Sequence, residues 1–339
     1  MLAPPAYTDP AQLDRERAAI FARAWVYVGR IEDLPPAGAW LRAPIGAGPG
    51  VVVVRGEDGA LRAFHAVCPH RGYPLVERDE GAGARITCPY HGFAFELDGR
   101  ACAETADLSS VRVAEAHGFV FVTLDTDAPP LAEALGEVPP WIGRAALDRL
   151  RRARRVAYDV AANWKIVVEN FQESLHFPTV HPALEALTPS SEADTWMPAA
   201  GERGPWLGGI MPIVERAETV SVSARRSGRP WLVPEEDRRV VHDAMRFPNL
   251  LTSLQPDYLL TFAVFPVAAD RTRVVACTYV HEDAPDDAVE DVLAFWSRVY
   301  DEDREACERQ QLGLSSPAAR PPAYTDVEEG SLAFDRMVL

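Results

Sequence analysis

The sequence predicts an α+β protein of two domains: a small antiparallel β domain, then a larger domain with a central antiparallel sheet. Three observations carry that prediction. The chain has 339 residues, more than one hydrophobic core usually serves, since single cores stop growing at about 250 to 300 residues. From about residue 36, short apolar runs punctuated by Gly, Asp and Pro replace the helical texture of the N-terminus. After Pro285 a long segment returns to helical spacing. With 47% hydrophobic and 25% charged residues, the whole chain is expected to fold.

Taken in order, residues 8–26 read as a helix. Thr8 or Asp9 can cap it, Pro10 suits its first turn, and Leu13, Ala18, Ile20, Phe21 and Trp25 form its apolar side. We assign 1–35 to this N-terminal helix, packed on the larger domain. The runs 51–55, 61–67, 86–88, 93–97 and 118–124 are strands of the first domain, 36–145. The proline- and acid-rich stretch 125–140 is its exit. The second domain, 146–339, opens with a strand and a helix in RRARRVAYDVAANWKIVVENF. It continues through strands expected in TVSVSA, LLTFAVFP and TRVVACTYVH, and the helix after Pro285 closes the chain. No internal repeat is present.

A formal net charge of −16 repels polyphosphate and anionic lipid, which argues against nucleic-acid and membrane-surface binding and for a small neutral or cationic substrate. No apolar run approaches the roughly 18 residues of a membrane span, and MLAPPAYTDPAQLDRER lacks the regions of a signal peptide. The expected location is cytoplasmic. Five cysteines, an odd number, argue against a disulfide framework and for thiolate ligands or buried thiols. Cys102, Cys277 and Cys307 lack ligand spacing and are expected as small buried hydrophobes.

Cys68-Pro-His70-Arg-Gly and Cys88-Pro-Tyr-His91-Gly are two similar half-motifs, with seventeen residues between His70 and Cys88. Two loops that each supply one thiolate and one imidazole suit a two-iron cluster in which one iron takes both sulfurs and the other both nitrogens. The glycines let backbone amides approach the sulfides. A tetrahedral zinc cage uses the same four donors, but zinc fingers usually group cysteine with cysteine. His65 and His117, outside the loops, read as ordinary strand residues.

A second constellation lies in NWKIVVENFQESLHFPTVHP. Glu173 and His176, three apart, would share a helix face; on one unbroken helix His176 and His181 would diverge by about 140°. Pro178 disfavours helical geometry at Phe177 and ends the helix, so that His181 can return toward His176. The missing carboxylate is expected from the last helix. There Val289, Val292, Trp296, Val299, Cys307 and Gln310 fall within roughly 40° of Asp303, while Asp301 and Glu302 are rotated away by about 160° and 100° toward solvent. Two histidines and a carboxylate make the facial triad of non-haem iron(II) oxygenases; a capping or salt-bridged acid is the competing reading of Asp303.

With both constellations in place, the chain resembles the α subunits of Rieske non-haem iron oxygenases over essentially its whole length. The resemblance implies a Rieske [2Fe-2S] domain followed by a helix-grip (START-like) catalytic domain. It implies that Cys68, His70, Cys88 and His91 bind the cluster and that His176, His181 and Asp303 bind a mononuclear Fe(II). Glu173 matches the acid that links the cluster of one subunit to the iron of its neighbour, which implies a homotrimer, and with Asn170 it is the candidate catalytic pair. Respiratory Rieske proteins carry an extra cysteine in each loop, where this chain has Arg71 and Tyr90. NWKIVVENFQESLHFPTVHP, FPNLLTSLQPDYLL and DREACERQQ look like the members acting on choline, glycine betaine and carnitine. In naphthalene-type members the asparagine lies one residue further upstream than Asn170, and the linking acid is usually aspartate. Gln255 departs from the histidine that betaine-type members tend to carry.

The implied activity is that of a terminal oxygenase using dioxygen. Electrons come from NAD(P)H through a ferredoxin and/or flavin reductase, and a small organic substrate is hydroxylated or oxidatively N-demethylated. Alternatives are dihydroxylation of an aromatic ring, a Rieske electron carrier without oxygenase activity, and a zinc-stabilised binding module. Phe171, Phe177, Trp206, Trp231, Tyr258 and Phe262 are candidate pocket walls, whose faces would favour a quaternary ammonium group; each also reads as plain core. Arg149, Arg151, Arg152, Arg154 and Arg155 form a basic run, either a docking patch for an acidic electron donor or a solvated face.

Overall fold

The computed structural model describes residues 2–46, 48–198, 204–321 and 323–339. The chain divides into two compact units, Glu16–Ala134 and a second made of Met1–Arg15 with Leu135–Leu339. The first cut therefore falls inside the N-terminal helical stretch rather than at 35. Asp9 caps that stretch as expected, its Oδ1 accepting from Ala11 N–H at 2.9 Å, with Pro10 opening the helix Pro10–Glu16. The next turn is wound wider, with Ala22 N–H donating to Arg17 O at 2.9 Å. This rotates the apolar stripe and leaves Ala18 exposed. The helix stops short of 26, because Trp25 is buried and Val26 already begins a strand.

The first unit is built on β1 (Val26–Arg30), β2 (Ala39–Ala43), β3 (Val51–Arg55), β4 (Leu61–His65), β5 (Glu80–Ala82), β6 (Ile86–Thr87), β7 (Ala94–Phe95), β8 (Ser110–Ala116) and β9 (Phe119–Thr123). Seven of them form an antiparallel sheet in the order β1-β9-β8-β4-β3-β2-β5, and β6 pairs with β7 alone. His117 is not a strand residue: with φ 53° it joins Gly118, φ 80°, in the two-residue turn between β8 and β9. Both residues at φ > 0 give the turn whose twist matches a hairpin.

The second unit holds β10 (Leu150–Val160), β11 (Asp194–Trp196), β12 (Trp206–Pro212), β13 (Val240–Arg246), β14 (Leu250–Leu254), β15 (Tyr258–Ala268) and β16 (Arg271–His281). They form one antiparallel sheet, β10-β16-β15-β14-β13-β12-β11. TVSVSA, expected as a strand, is irregular. Its hydroxyls are taken up by carboxylates, Thr219 by Asp257 at 2.5 Å and Ser223 by Asp291 at 2.5 Å, the competition by which Ser and Thr divert backbone from regular structure. The helix after Pro285 runs from Glu290 to Leu314, and a further helix, Glu329–Val338, follows it instead of the chain ending there. No helix among the described residues is long and apolar enough to cross a membrane.

Candidate functional site

In the first unit the two cysteine loops are wound alike. Cys68 N–H donates to Tyr73 O at 2.8 Å and Gly72 N–H to Cys68 O at 2.9 Å; Cys88 N–H donates to Phe93 O at 2.8 Å and Gly92 N–H to Cys88 O at 3.0 Å. Gly72 and Gly92 both need positive φ, 72° and 75°, which glycine adopts without a Cβ penalty. The cysteines are buried in an apolar cluster with Val52, Phe64, Leu75 and Phe95, whereas His70 and His91 are exposed. Thiol therefore neighbours thiol through a hydrogen bond, and the imidazoles meet edge to face with centroids 4.9 Å apart. Burial pushes the Cys68 thiol up, while backbone N–H groups of His70 and Arg71 pull the other way, the kind of sulfur hydrogen bonding that tunes an iron–sulfur cluster.

The four side chains do not gather as ligands of a single ion. Among the described residues the group that does is His176, His181 and Asp303. Sulfurs paired on one side and nitrogens on the other fit a two-iron cluster better than one tetrahedral zinc, whose four donors converge on a point.

In the second unit Asn163 caps the helix Trp164–Phe171, its Oδ1 accepting from Lys165 N–H at 3.1 Å. That helix ends two residues before Glu173, so Glu173 and His176 do not share a helix face. Pro178 does not end a helix either: it sits in the first turn of Phe177–Val180, and Pro182 opens Pro182–Glu185. Proline is at home in a first turn because its missing N–H would go unused there. His176 precedes the first of these turns and His181 joins the two, with φ −120° and ψ 59°, outside the helical region as a residue before proline prefers. The two imidazole centroids come to 5.0 Å.

Asp303 enters from the helix Glu290–Leu314, on the side carrying Val292, Trp296, Val299 and Cys307. Gln310 is exposed and Gln311 is the buried residue, contrary to the helical projection. Asp303 Oδ1 lies 2.8 Å from His181 Nε2 and 3.7 Å from His176 Nε2. The opposite ring nitrogens are held by carboxylates: Glu173 Oε1 is 2.6 Å from His176 Nδ1, and Glu302 Oε2 is 2.8 Å from His181 Nδ1. Glu302, expected to point into solvent, is the functional residue that helical projection missed. Its other oxygen accepts from Arg298 Nε at 2.7 Å, and this i,i+4 pair was the available hint.

Carboxylates only accept, so both Nδ1–H groups donate to Glu173 and Glu302, and each Nε2 can face the Asp303 carboxylate either as a protonated donor or, in a neutral imidazole, with a cation between them. The electrostatics reflect these contacts. Burial would lower His176, but hydrogen bonds to Asp303 and Glu173 raise it to about 9. Burial would raise Asp303, yet the two imidazoles hold its carboxyl below the usual range. The donor set thus fits a divalent metal with open positions.

Glu173, His176, His181 and Asp303 line a pocket of about 600 Å³, open solvent at its entrance included, together with Asn170, Phe171, Phe177 and Phe262. Of the other candidate walls, Trp206 donates to Leu135 O at 2.8 Å, Trp231 packs between Arg226 and Arg238, and Tyr258 is buried and accepts from Trp296 Nε1 at 2.8 Å. Trp296 and Tyr300 take their places in the lining. Cys102 is exposed and donates to Glu96 at 3.3 Å, unlike the buried Cys277 and Cys307. Arg149 pairs with Glu282 and Asp283, and Arg151 with Asp286, which neutralises that end of the basic run.

A paired-thiolate, paired-imidazole site in one unit and a two-histidine, one-carboxylate site in the other define an oxygenase that feeds single electrons to a mononuclear metal. Comparison with known proteins agrees. A model of the ring-hydroxylating α subunit catalytic domain matches residues 147–339, and one of the Rieske [2Fe-2S] domain matches 24–114. The chain belongs to the ring-hydroxylating α-subunit family of Rieske oxygenases. It is 28% identical to the glycine betaine monooxygenase oxygenase subunit of Chromohalobacter salexigens, covering 96% of this chain and 82% of that protein. It is 36% identical to the carnitine monooxygenase oxygenase subunit of Escherichia coli over 194 residues, 52% of this chain and 50% of that protein. A solved quaternary ammonium Rieske monooxygenase superposes with a TM-score of 0.82 at 25% identity, covering 99% of this chain and 93% of that one. Naphthalene 1,2-dioxygenase from Rhodococcus sp. shares the fold, with a TM-score of 0.77 at 18% identity over 99% and 93% of the chains. The protein is therefore an oxidoreductase of the Rieske oxygenase class, with a Rieske [2Fe-2S] cluster, a mononuclear iron and reductase-supplied electrons.

Proposed function

We propose that this terminal oxygenase oxidises a small amine at a carbon attached to nitrogen, and that the pocket walled by Phe171, Phe177, Phe262 and Trp296 beside the His176–His181–Asp303 triad carries that reading. Aromatic faces attract an ammonium group in a desolvated pocket, and the relatives named for glycine betaine and carnitine support an amine over an arene. In this reading Cys68, His70, Cys88 and His91 hold the cluster, and His176, His181 and Asp303 hold the iron. When bound, the cluster supplies electrons one at a time and the iron supplies the dioxygen chemistry.

Dioxygen, two electrons and two protons then give a hydroxylated carbon and one water. A hydroxyl on an N-methyl carbon leaves as formaldehyde, with nitrogen keeping the C–N electron pair. The chain's own residues do the rest. Glu173 and Glu302 keep each imidazole in the tautomer whose Nε2 faces the metal position. Glu173 also links this site to the cluster of a neighbouring subunit in a homotrimer; the solved relative described for inter-subunit electron transfer supports this. Asn170 and the aromatic walls position the substrate and exclude bulk water. An enzyme drawing on NAD(P)H through a ferredoxin or flavin reductase belongs in the cytoplasm.

The test is substrate-dependent oxygen uptake with the reconstituted enzyme and a reductase, across methylated amines and arenes. An aldehyde released in step with oxygen uptake is expected with an amine, formaldehyde where the oxidised carbon is an N-methyl. A cis-diol from an arene, with no amine turned over, would replace the reading by dihydroxylation.

A further inference from the structure

Strands β13 and β14 set Asp243 and Ser253 opposite each other, Gln255 lies just beyond β14, and all three line the pocket. Gln255 Nε2 donates to Ser253 Oγ at 2.9 Å, and the Ser253 side chain hydrogen-bonds the Asp243 carboxylate. An amide NH₂ only donates and a carboxylate only accepts, so the Ser253 proton points to Asp243. The relay leaves Gln255 fully buried, at 0% exposure, with its Oε1 lacking any hydrogen-bond partner. The wall thus presents the Asp243 carboxylate, with the unsatisfied Gln255 carbonyl buried in the same wall.

Nothing positive answers them. No lysine or arginine is among the described residues lining the pocket, and its two histidines belong to the metal site. Arg304 lines a neighbouring hollow and pairs with Asp301 at 2.8 Å. Burial pushes the Asp243 carboxyl up to about 6, as befits an acid without a cationic neighbour.

We infer that Asp243 selects a substrate that is a net cation: an amine carrying no carboxylate of its own. A zwitterion would bring its carboxylate into a pocket that already holds Asp243 and offers no lysine or arginine to receive it, and like charges in low dielectric repel strongly. The inference rests on the amine reading above and narrows it: the substrate differs in charge from glycine betaine and carnitine.

Anaerobic calorimetric titration of the iron-loaded enzyme tests it with three probes of one shape. They are choline, a cation; glycine betaine, a zwitterion; and 3,3-dimethylbutan-1-ol, the neutral carbon analogue of choline. Choline is expected to bind at least about tenfold more tightly than either of the others, the scale of one desolvated charge pair. Asp243→Asn should abolish that preference, and Ser253→Ala, which keeps the charge, should retain it. Absence of choline binding, equal binding of betaine or the neutral alcohol, or an unchanged ranking in Asp243→Asn would each overturn the inference. The wild-type ranking decides the matter even where the variant does not fold. Failure of the amine reading shows separately, as oxygen uptake without release of an aldehyde from the amine, because the titration reports pocket charge whatever reaction follows.

Discussion

At the scale of single residues, the second site is governed by which atom each carboxylate claims. Asp303 faces Nε2 of both imidazoles, while Glu173 and Glu302 take Nδ1. Removing an outer partner of this kind typically costs about 10- to 100-fold in metal affinity or activity. Glu302→Ala should therefore weaken iron retention by about that factor, seen as iron lost on mild chelation while the visible spectrum of the cluster is kept; full retention would show that His181 needs no anchor. Asp243 offers a pH test. Its carboxyl, ordinarily near 3.8, rises to about 6 through burial, so the folded state binds its proton more tightly than the unfolded chain does. Stability on its account is complete below about pH 4 and falls as pH rises through about 6. The thermal midpoint of Asp243→Asn should then gain on the wild type progressively between those values; a difference independent of pH would contradict the assignment.

At the scale of elements, Asn163 shows how the helix Trp164–Phe171 is anchored. Its Oδ1 caps Lys165 N–H, and its Nδ2 donates to Ala269 O at 2.7 Å and Tyr7 O at 3.2 Å, all in a buried setting. Asn163→Ala loses a cap and strips two buried carbonyls, at a cost of about 2–4 kcal/mol. Chemical denaturation followed at this unit should shift accordingly, and an unchanged midpoint would mean water replaces all three bonds. Much at this scale was legible beforehand. Strands β3, β4, β9, β15 and β16 announced themselves by β-branched and aromatic runs, and the cysteine loops by spacing. Where reading failed, the deciding contact lay far along the chain or in the chain's winding. TVSVSA depends on Asp257 and Asp291, Glu302 turns to His181 from another element, and a widened turn after Arg17 shifts the helical register. His176 and His181 converge, but not because Pro178 ends a helix: it and Pro182 each lie in the first turn of a short helix.

At the scale of the whole molecule, the proposal joins two metal centres through Glu173 across subunits of a trimer. Glu173→Gln keeps an oxygen to accept from His176 Nδ1 but removes the charge, so both metals should stay bound while turnover slows by about 10-fold or more. Normal rates would send the electrons by another route. The most direct measurement is the metal content of the wild type and of Asp303→Ala, counted together with the electron paramagnetic resonance of the reduced cluster. Three irons per wild-type chain are expected, two in the cluster and one at the triad, with loss of the single iron alone in the variant and the reduced-cluster spectrum intact. Two irons in the wild type, or a variant that keeps all three, would contradict that assignment of the metal centres.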